Sequence, residues 1–253
     1  MSDRVSPFQY GGSVPPHRVV IATTRTGKTA EEMTMPAQAI VFDLDGVLID
    51  SEPVWEEVRR AYVAERGGRW RADTQERLMG MSTVEWAAYI ADELVDGVTA
   101  DEVAYEVVDR MSQRYEDELP LLPGAESAVR RMAEYRPLGL SSSSPRALID
   151  MVLGQIGVVG LFRATVSTEE VDQGKPAPDG YLTVAAQLEV PAGSCIAIED
   201  STNGLRSAHA AEMTVIAIPR PDNPPSADAL ALAAHVADNL DEITPELAEV
   251  IHS

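Results

Sequence analysis

Cysteine occurs once in this chain, at Cys195, so no intrachain disulfide can form, and a reducing compartment such as the cytoplasm is expected. Its setting, Cys195-Ile196-Ala197-Ile198, is strand-like and predicts a buried structural thiol rather than a nucleophile. Cations are scarce as well: 20 Lys and Arg stand against 41 Asp and Glu, a formal net charge of −21. Nucleic acid binds through clustered cations, and an anionic membrane surface attracts them, so neither is expected as a partner. No apolar run reaches the roughly 20 residues of a membrane span. The stretch Arg18-Val19-Val20-Ile21-Ala22-Thr23 is too short for a secretory signal core and lacks a clear cleavage site. There is no internal repeat. What the chain has is 253 residues, 45% of them hydrophobic, enough for one large domain or a core with a smaller insert. The acid excess favours solubility, and it means that a phosphate substrate must be drawn in by a metal and a few local cations.

Residues 1–35 are rich in Gly, Pro, Ser and Thr with little periodicity and are expected to form a flexible extension. Thr26-Gly27-Lys28-Thr29 looks like the tail of a phosphate-binding P-loop, but Ala22 occupies the position of the required first glycine, so the motif is rejected. From residue 38 short apolar runs alternate with helical stretches: Ala39–Asp43, Leu138–Ser141, Ala164–Val166, Cys195–Ile198, Thr214–Ile218 and His235–Ala237. That alternation predicts an α/β core, a Rossmann-like parallel sheet with helices on both faces. The alternation breaks once. Between Pro53 and Leu119 no strand is expected, while Trp55, Val58 and Tyr62, then Val84, Ala87, Ala88 and Ala91, then Val103, Val107, Met111 and Tyr115 recur at helical spacing. The expected division is a core of 36–52 and 120–253 and an all-helical cap of 53–119 inserted after the first strand. Asp50-Ser51-Glu52-Pro53 reads as a helix start and Leu119-Pro120-Leu121-Leu122-Pro123-Gly124 as the return crossing.

Four segments fall at predicted strand ends. Asp43-Leu44-Asp45-Gly46 places two carboxylates two residues apart, so both can lean to one side at the carboxyl end of the strand, with Gly46 turning the chain. The others are Ser141-Ser142-Ser143-Ser144-Pro145, Gly174-Lys175-Pro176-Ala177-Pro178-Asp179 and Ile198-Glu199-Asp200-Ser201-Thr202-Asn203-Gly204. Each alone is unremarkable: a surface acid pair, a serine loop, a solvated lysine, an acidic helix start. In this order they supply the parts of phosphoryl transfer. A carboxylate can attack phosphorus, a second can act as acid and base, and a lysine and a divalent cation can carry the charge of the phosphoryl oxygens. Asp43 is read as nucleophile and Asp45 as acid/base. Mg²⁺ would be held by Asp43, Asp200 and the Asp45 backbone carbonyl. Lys175, Ser142 and the backbone around Ser143 would hold phosphate. Ser144 is expected to cap a helix beginning at Pro145.

With these motifs over residues 38–245, the chain resembles the haloacid dehalogenase-like superfamily in its branch with a helical cap after the first strand, and is most similar to the β-phosphoglucomutase-like phosphatases. The resemblance implies Mg²⁺ and an aspartyl-phosphate intermediate. By motif it assigns Asp43 as nucleophile, Asp45 as acid/base, Ser142 as phosphate-binding hydroxyl, Lys175 as motif lysine and Asp200 as metal acid. Glu199 matches a position that in some members also helps to bind metal. Dehalogenases of the superfamily lack the second acid, which is present here as Asp45. The substrate implied is a small phosphorylated metabolite, with a sugar phosphate the leading class, and the chain is expected to be a monomer or weak homodimer.

Two departures weigh against a mutase. Where β-phosphoglucomutase carries a histidine, this chain has Trp55, and where it presents an arginine after a Gly-x-Ser turn, Gly80-Met81-Ser82 is followed by Thr83. Arg77 or another arginine of the insert could compensate. Trp55 is open to two readings, packing on an amphipathic helix or a platform for a sugar ring. A non-catalytic acidic binding protein on the same fold is the remote alternative. Glu212 stands where related sequences often carry glycine, at a helix end that favours positive φ.

Overall fold

The computed structural model describes residues 36–79 and 81–252; the extension expected over residues 1–35 lies outside the described residues. Six strands form one sheet: β1 (Ala39–Phe42), β2 (Leu138–Ser142), β3 (Phe162–Ser167), β4 (Cys195–Glu199), β5 (Thr214–Ala217) and β6 (His235–Val236). All neighbours pair in parallel, in the order β3-β2-β1-β4-β5-β6. The six apolar runs are these strands, with ends shifted by a residue or two, as hydrogen-bond pairing rather than hydrophobicity sets them. The helices are α1 (Glu52–Glu65), α2 (Thr74–Leu78), α3 (Thr83–Glu93), α4 (Ala100–Asp117), α5 (Ala125–Tyr135), α6 (Arg146–Ile156), α7 (Asp179–Gln187), α8 (Thr202–Ala210), α9 (Ala227–Leu230) and α10 (Pro245–Ile251).

Strand side chains alternate between two apolar clusters. Ile40, Phe42, Leu138, Leu140, Ile196 and Ile198 face one, together with α5 and α6. Ala39, Val41, Ala164, Val166, Cys195 and Ala197 face the other, under α7 and α8. Small residues dominate the second face, so helices approach closely: a Cβ on Gly139 would lie 2.3 Å from Val184. Cys195 is fully buried there, its thiol donating to the Pro191 carbonyl, and burial pushes its pKa up to about 11. Among the described residues no helix is long and apolar enough to cross a membrane.

Helices α1 to α4 follow β1, with no strand among the described residues between them. Local chemistry starts three of them. Pro53 occupies the first turn of α1, and capping boxes close α3 (Ser82 with Glu85) and α4 (Thr99 with Glu102). The buried stripes of α1 and α4 are those read from spacing. That of α3 is not: Val84 is 75% exposed, and Thr83, Trp86, Ala87 and Ile90 are buried. Alanines define a helix face weakly, and the bulk of Trp86 and Ile90 decides which side turns inward. The apolar cluster of the first sheet face runs without a break into Trp55, Tyr62, Trp86, Met111 and Tyr115 of these helices. The two crossings lie side by side, with Asp50 N donating to Pro120 O and Leu122 N to Leu48 O.

Candidate active site

Strand order reverses about β1: the chain winds outward through β2 and β3, then returns to β4 on the other side. Open α/β sheets bind ligands outside the carboxyl ends of strands at such a switch point. Asp43 directly follows β1, and its N–H continues the ladder to Ile198 O at 3.0 Å. Ser142 ends β2, Glu199 ends β4 and Asp200 follows it. A cavity of about 380 Å³ opens here, within the range of small-molecule sites. Asp43, Asp45, Ser143, Lys175 and Asp200 line it from the sheet side. Glu52, Trp55, Arg59, Gln75, Thr83 and Trp86 line it from the inserted helices.

Lys175 is the centre of the charge arrangement. Its Nζ donates to Asp43 Oδ1 at 2.7 Å and to Glu199 Oε1 at 2.6 Å. Carboxylate oxygens of Asp43, Glu199 and Asp200, all buried, lie within 4.8 Å of one another. Three buried acids therefore face one buried lysine. Burial raises the Asp43 pKa from 3.8 to about 8, with Glu199 and Asp45 adding to the shift and Lys175 opposing it. Burial also lifts the Asp200 carboxyl well above its ordinary value, with Glu199 and Asp43 adding to it. For Lys175 burial works against the charge, but Asp43 and Glu199 outweigh it and hold the ammonium above the usual lysine value.

Glu199 has little left to offer a ligand. Its Oε1 accepts from Lys175 and from Tyr181 Oη at 2.6 Å, and its Oε2 accepts from Asp200 N, Ser201 N and Ser201 Oγ. The turn wraps closely enough that a Cβ on Gly204 would sit 1.9 Å from Glu199 Oε2. Gly46 is as restricted. It has φ 78°, and a Cβ there would lie 1.9 Å from Asp200 Oδ2, so only glycine lets the Asp43–Asp45 turn meet Asp200.

Asp45 turns away from the acidic group. Its Oδ1 accepts from Ser51 Oγ at 2.6 Å, and its Oδ2 from Ser142 Oγ at 3.1 Å and Ser144 Oγ at 2.8 Å. Ser142 is fully buried, and its hydroxyl also accepts from Ser144 N. The expected capping role of Ser144 is not what the fold uses: α6 begins at Arg146 with Pro145 as the flanking residue, and the Ser144 hydroxyl goes to Asp45. The helix starts one residue later than expected, so Pro145 takes the flanking position and Ser144 is left outside it, where its hydroxyl donates to the carboxylate.

Trp55 packs against Trp86, ring centroids 5.8 Å apart, and is only 6% exposed. Thr83 is buried in the wall of the cavity, its hydroxyl without a partner among the described residues. Sequence reasoning missed Tyr181, which holds Glu199, and Arg59, a charged residue within the buried stripe of α1. The signal for Arg59 was available: it lies four residues after Trp55, on the same helix face.

A family model for haloacid dehalogenase-like hydrolases matches residues 37–212. Hexitol phosphatase B of Escherichia coli (strain K12) is 35% identical over 198 residues, covering 75% of this chain and 88% of that protein. CbbY of Rhodobacter sphaeroides in complex with phosphate superposes with a TM-score of 0.73 at 22% identity, over 82% of this chain and 96% of that one. The β-phosphoglucomutase of Clostridium difficile does so with a TM-score of 0.72 at 24% identity, over 85% and 97%. At those identities the two structures show likeness of fold. With the sheet order, the carboxyl-end acids and the matching family model together, the chain belongs to the haloacid dehalogenase-like hydrolase family.

Proposed function

We propose that this protein is a Mg²⁺-dependent phosphomonoesterase that hydrolyses a small phosphorylated metabolite of the sugar-phosphate class through an aspartyl-phosphate intermediate. The observation that carries the reading is the Lys175 ammonium shared between Asp43 and Glu199, with Asp200 alongside, at the floor of the cavity. The 35% identical hexitol phosphatase supports the phosphomonoester as bond type.

The donor set fits a hard divalent cation. Its ligands would be carboxylate oxygens of Asp43 and Asp200 and the Asp45 carbonyl, and oxygen is what Mg²⁺ selects. Asp200 accepts no hydrogen bond from the described residues, and without a cation both acids are pushed toward their protonated forms. When bound, the ion neutralises the acids and draws charge from the phosphoryl oxygens.

This chain's residues do the rest. One oxygen of Asp43 is fixed by Lys175, and the other attacks phosphorus. As the Asp43–phosphorus bond forms, the ester oxygen–phosphorus bond breaks, and Asp45 gives its proton to the leaving oxygen. Asp45 then takes a proton from water, which attacks the aspartyl phosphate, releases inorganic phosphate and restores Asp43. Turning to these tasks takes Asp45 from Ser142 and Ser144 and frees both hydroxyls for the phosphoryl group. The inserted helices (residues 53–119) act as a cap that limits bulk water.

The test is phosphate release from a panel of sugar phosphates, phosphoglycolate and nucleotides with Mg²⁺, run on wild type and Asp43→Asn. Wild type is expected to release phosphate, and Asp43→Asn to lose turnover by about a thousandfold or more while remaining folded. Wild-type turnover in the variant overturns the assignment. Conversion of β-glucose 1-phosphate with a bisphosphate primer to glucose 6-phosphate, without free phosphate, would make it a mutase. Silence across the panel would favour a binding protein.

A further inference from the structure

Arg59 is 5% exposed, and its buried Nε–H has no hydrogen-bond acceptor among the described residues. The guanidinium is nonetheless fixed in place. Its central carbon lies 4.5 Å from the Trp55 ring and 4.8 Å from the Trp86 ring. The indoles thus spend their faces on the arginine, and with 6% and 2% exposure they have little left to stack on a sugar. Burial lowers the Arg59 pKa to about 10, with Glu52 and Asp45 opposing, so the group stays charged at neutral pH.

A buried cation with an unused donor is costly unless something arrives to accept from it. Arg59 lines the same cavity as Asp43 and Lys175. Two neighbours in that wall are also incomplete, as Gln75 Oε1 and Thr83 Oγ1 are buried without partners among the described residues. Glu52 accepts from Gln75 Nε2, and burial raises its pKa, with Arg59 opposing. The wall therefore offers donors and acceptors together, with the Arg59 cation beside the carboxyl groups of Glu52 and Glu56. Hydroxyl groups match such a wall, because each both donates and accepts and carries no charge. A second phosphate or a carboxylate would meet Glu52 and be repelled.

We propose that Arg59, with Glu52, Gln75 and Thr83, forms a leaving-group subsite for an uncharged polyhydroxylated carbon chain, with Arg59 its specificity-determining residue. This rests on the phosphomonoesterase reading and narrows it: the substrate carries a single phosphate and presents hydroxyls to Arg59.

The experiment measures kcat/KM of the full chain on a hexitol 6-phosphate, a hexose bisphosphate and p-nitrophenyl phosphate, for wild type, Arg59→Met, Arg59→Lys and Glu52→Gln. Wild type is expected to prefer the hexitol phosphate. Arg59→Met should lose about tenfold or more on the hexitol phosphate relative to p-nitrophenyl phosphate, mainly through KM, and Arg59→Lys should recover part of it. Glu52→Gln should narrow the preference for the monophosphate over the bisphosphate. Parallel losses on both monoesters in Arg59→Met, or a wild-type preference for the bisphosphate or for p-nitrophenyl phosphate, overturn the subsite. If Arg59→Met shows no cooperative melt, Glu52→Gln decides, and an unchanged monophosphate-to-bisphosphate ratio overturns it. Failure of wild type to release phosphate from all three esters would end the phosphomonoesterase reading itself, a result distinct from any change in selectivity.

Discussion

The Ser51 hydroxyl donates to Asp45 Oδ1 at 2.6 Å, tying the start of α1 to the acid two residues beyond Asp43. Ser51 flanks α1 without a side-chain capping bond, so its hydroxyl serves Asp45 rather than the helix. Ser142 and Ser144 hold the other carboxylate oxygen, and the acid is gripped from both the inserted helices and the β2 loop.

Ser51→Ala should therefore cost about 1 kcal/mol of stability, the net worth of one hydrogen bond. It should also lower kcat several-fold, because Asp45 loses the contact that joins it to the start of α1. Urea melts and initial rates check both. Unchanged kcat would show that the contact does not help to position Asp45.

Metal-free stability should fall as pH rises between about 4 and 8. In the fold Asp43 is raised from 3.8 to about 8, so across that window the native state holds a proton that the unfolded chain has released. The state binding more protons loses ground as pH rises, and Asp200 shifts in the same direction. Mg²⁺ should stabilise the protein more at pH 8 than at pH 5. Thermal melts with chelator or with Mg²⁺ read this directly, and Asp43→Asn should flatten the metal-free slope. An identical slope in that variant would remove Asp43 as its source.

Gly46→Ala should weaken Mg²⁺ affinity as well as activity. The new Cβ would stand 1.9 Å from Asp200 Oδ2, on a backbone at φ 78°, where a side chain costs about 1–2 kcal/mol. Asp200 must move to make room. A Mg²⁺ titration of turnover like that of wild type would contradict the close approach.

Glu212→Gly should stabilise the protein by about 1 kcal/mol with turnover unchanged. Glu212 adopts φ 64° just past α8, a left-handed conformation that glycine takes freely. The gain is reduced by the extra freedom glycine gives the unfolded chain. A melting temperature equal to or below that of wild type would show that the strain is absorbed elsewhere.

The parts of the site whose cause is local are legible in the sequence. Apolar runs marked the six strands, and the spacing of Asp43 and Asp45 with Gly46 marked a turn with two carboxylates. Glu212 stands at a helix end that favours positive φ, and it does hold one. The readings that failed depended on contacts made only when distant segments pack. Ser144 suited a helix cap by residue type, yet α6 starts beyond Pro145, and the Ser144 hydroxyl donates instead to Asp45, 99 residues away in the chain. Val84 suited a buried face by hydrophobicity, yet Trp86 and Ile90 set the rotation of α3.

The sequence by itself determined which segments become strands, where glycine must turn the chain, and which residue types can carry phosphoryl chemistry, because each follows from near-neighbour sterics and periodicity. Tertiary structure alone decided that Lys175 meets Asp43 across 132 residues, that Glu199 spends its oxygens on Lys175, Tyr181 and its own turn, and that Arg59 lies unpaired between two tryptophans. Those outcomes come from parallel strand order and from burial. Both are set only when distant segments pack and water leaves, and that is when a charge acquires its partner or is left without one.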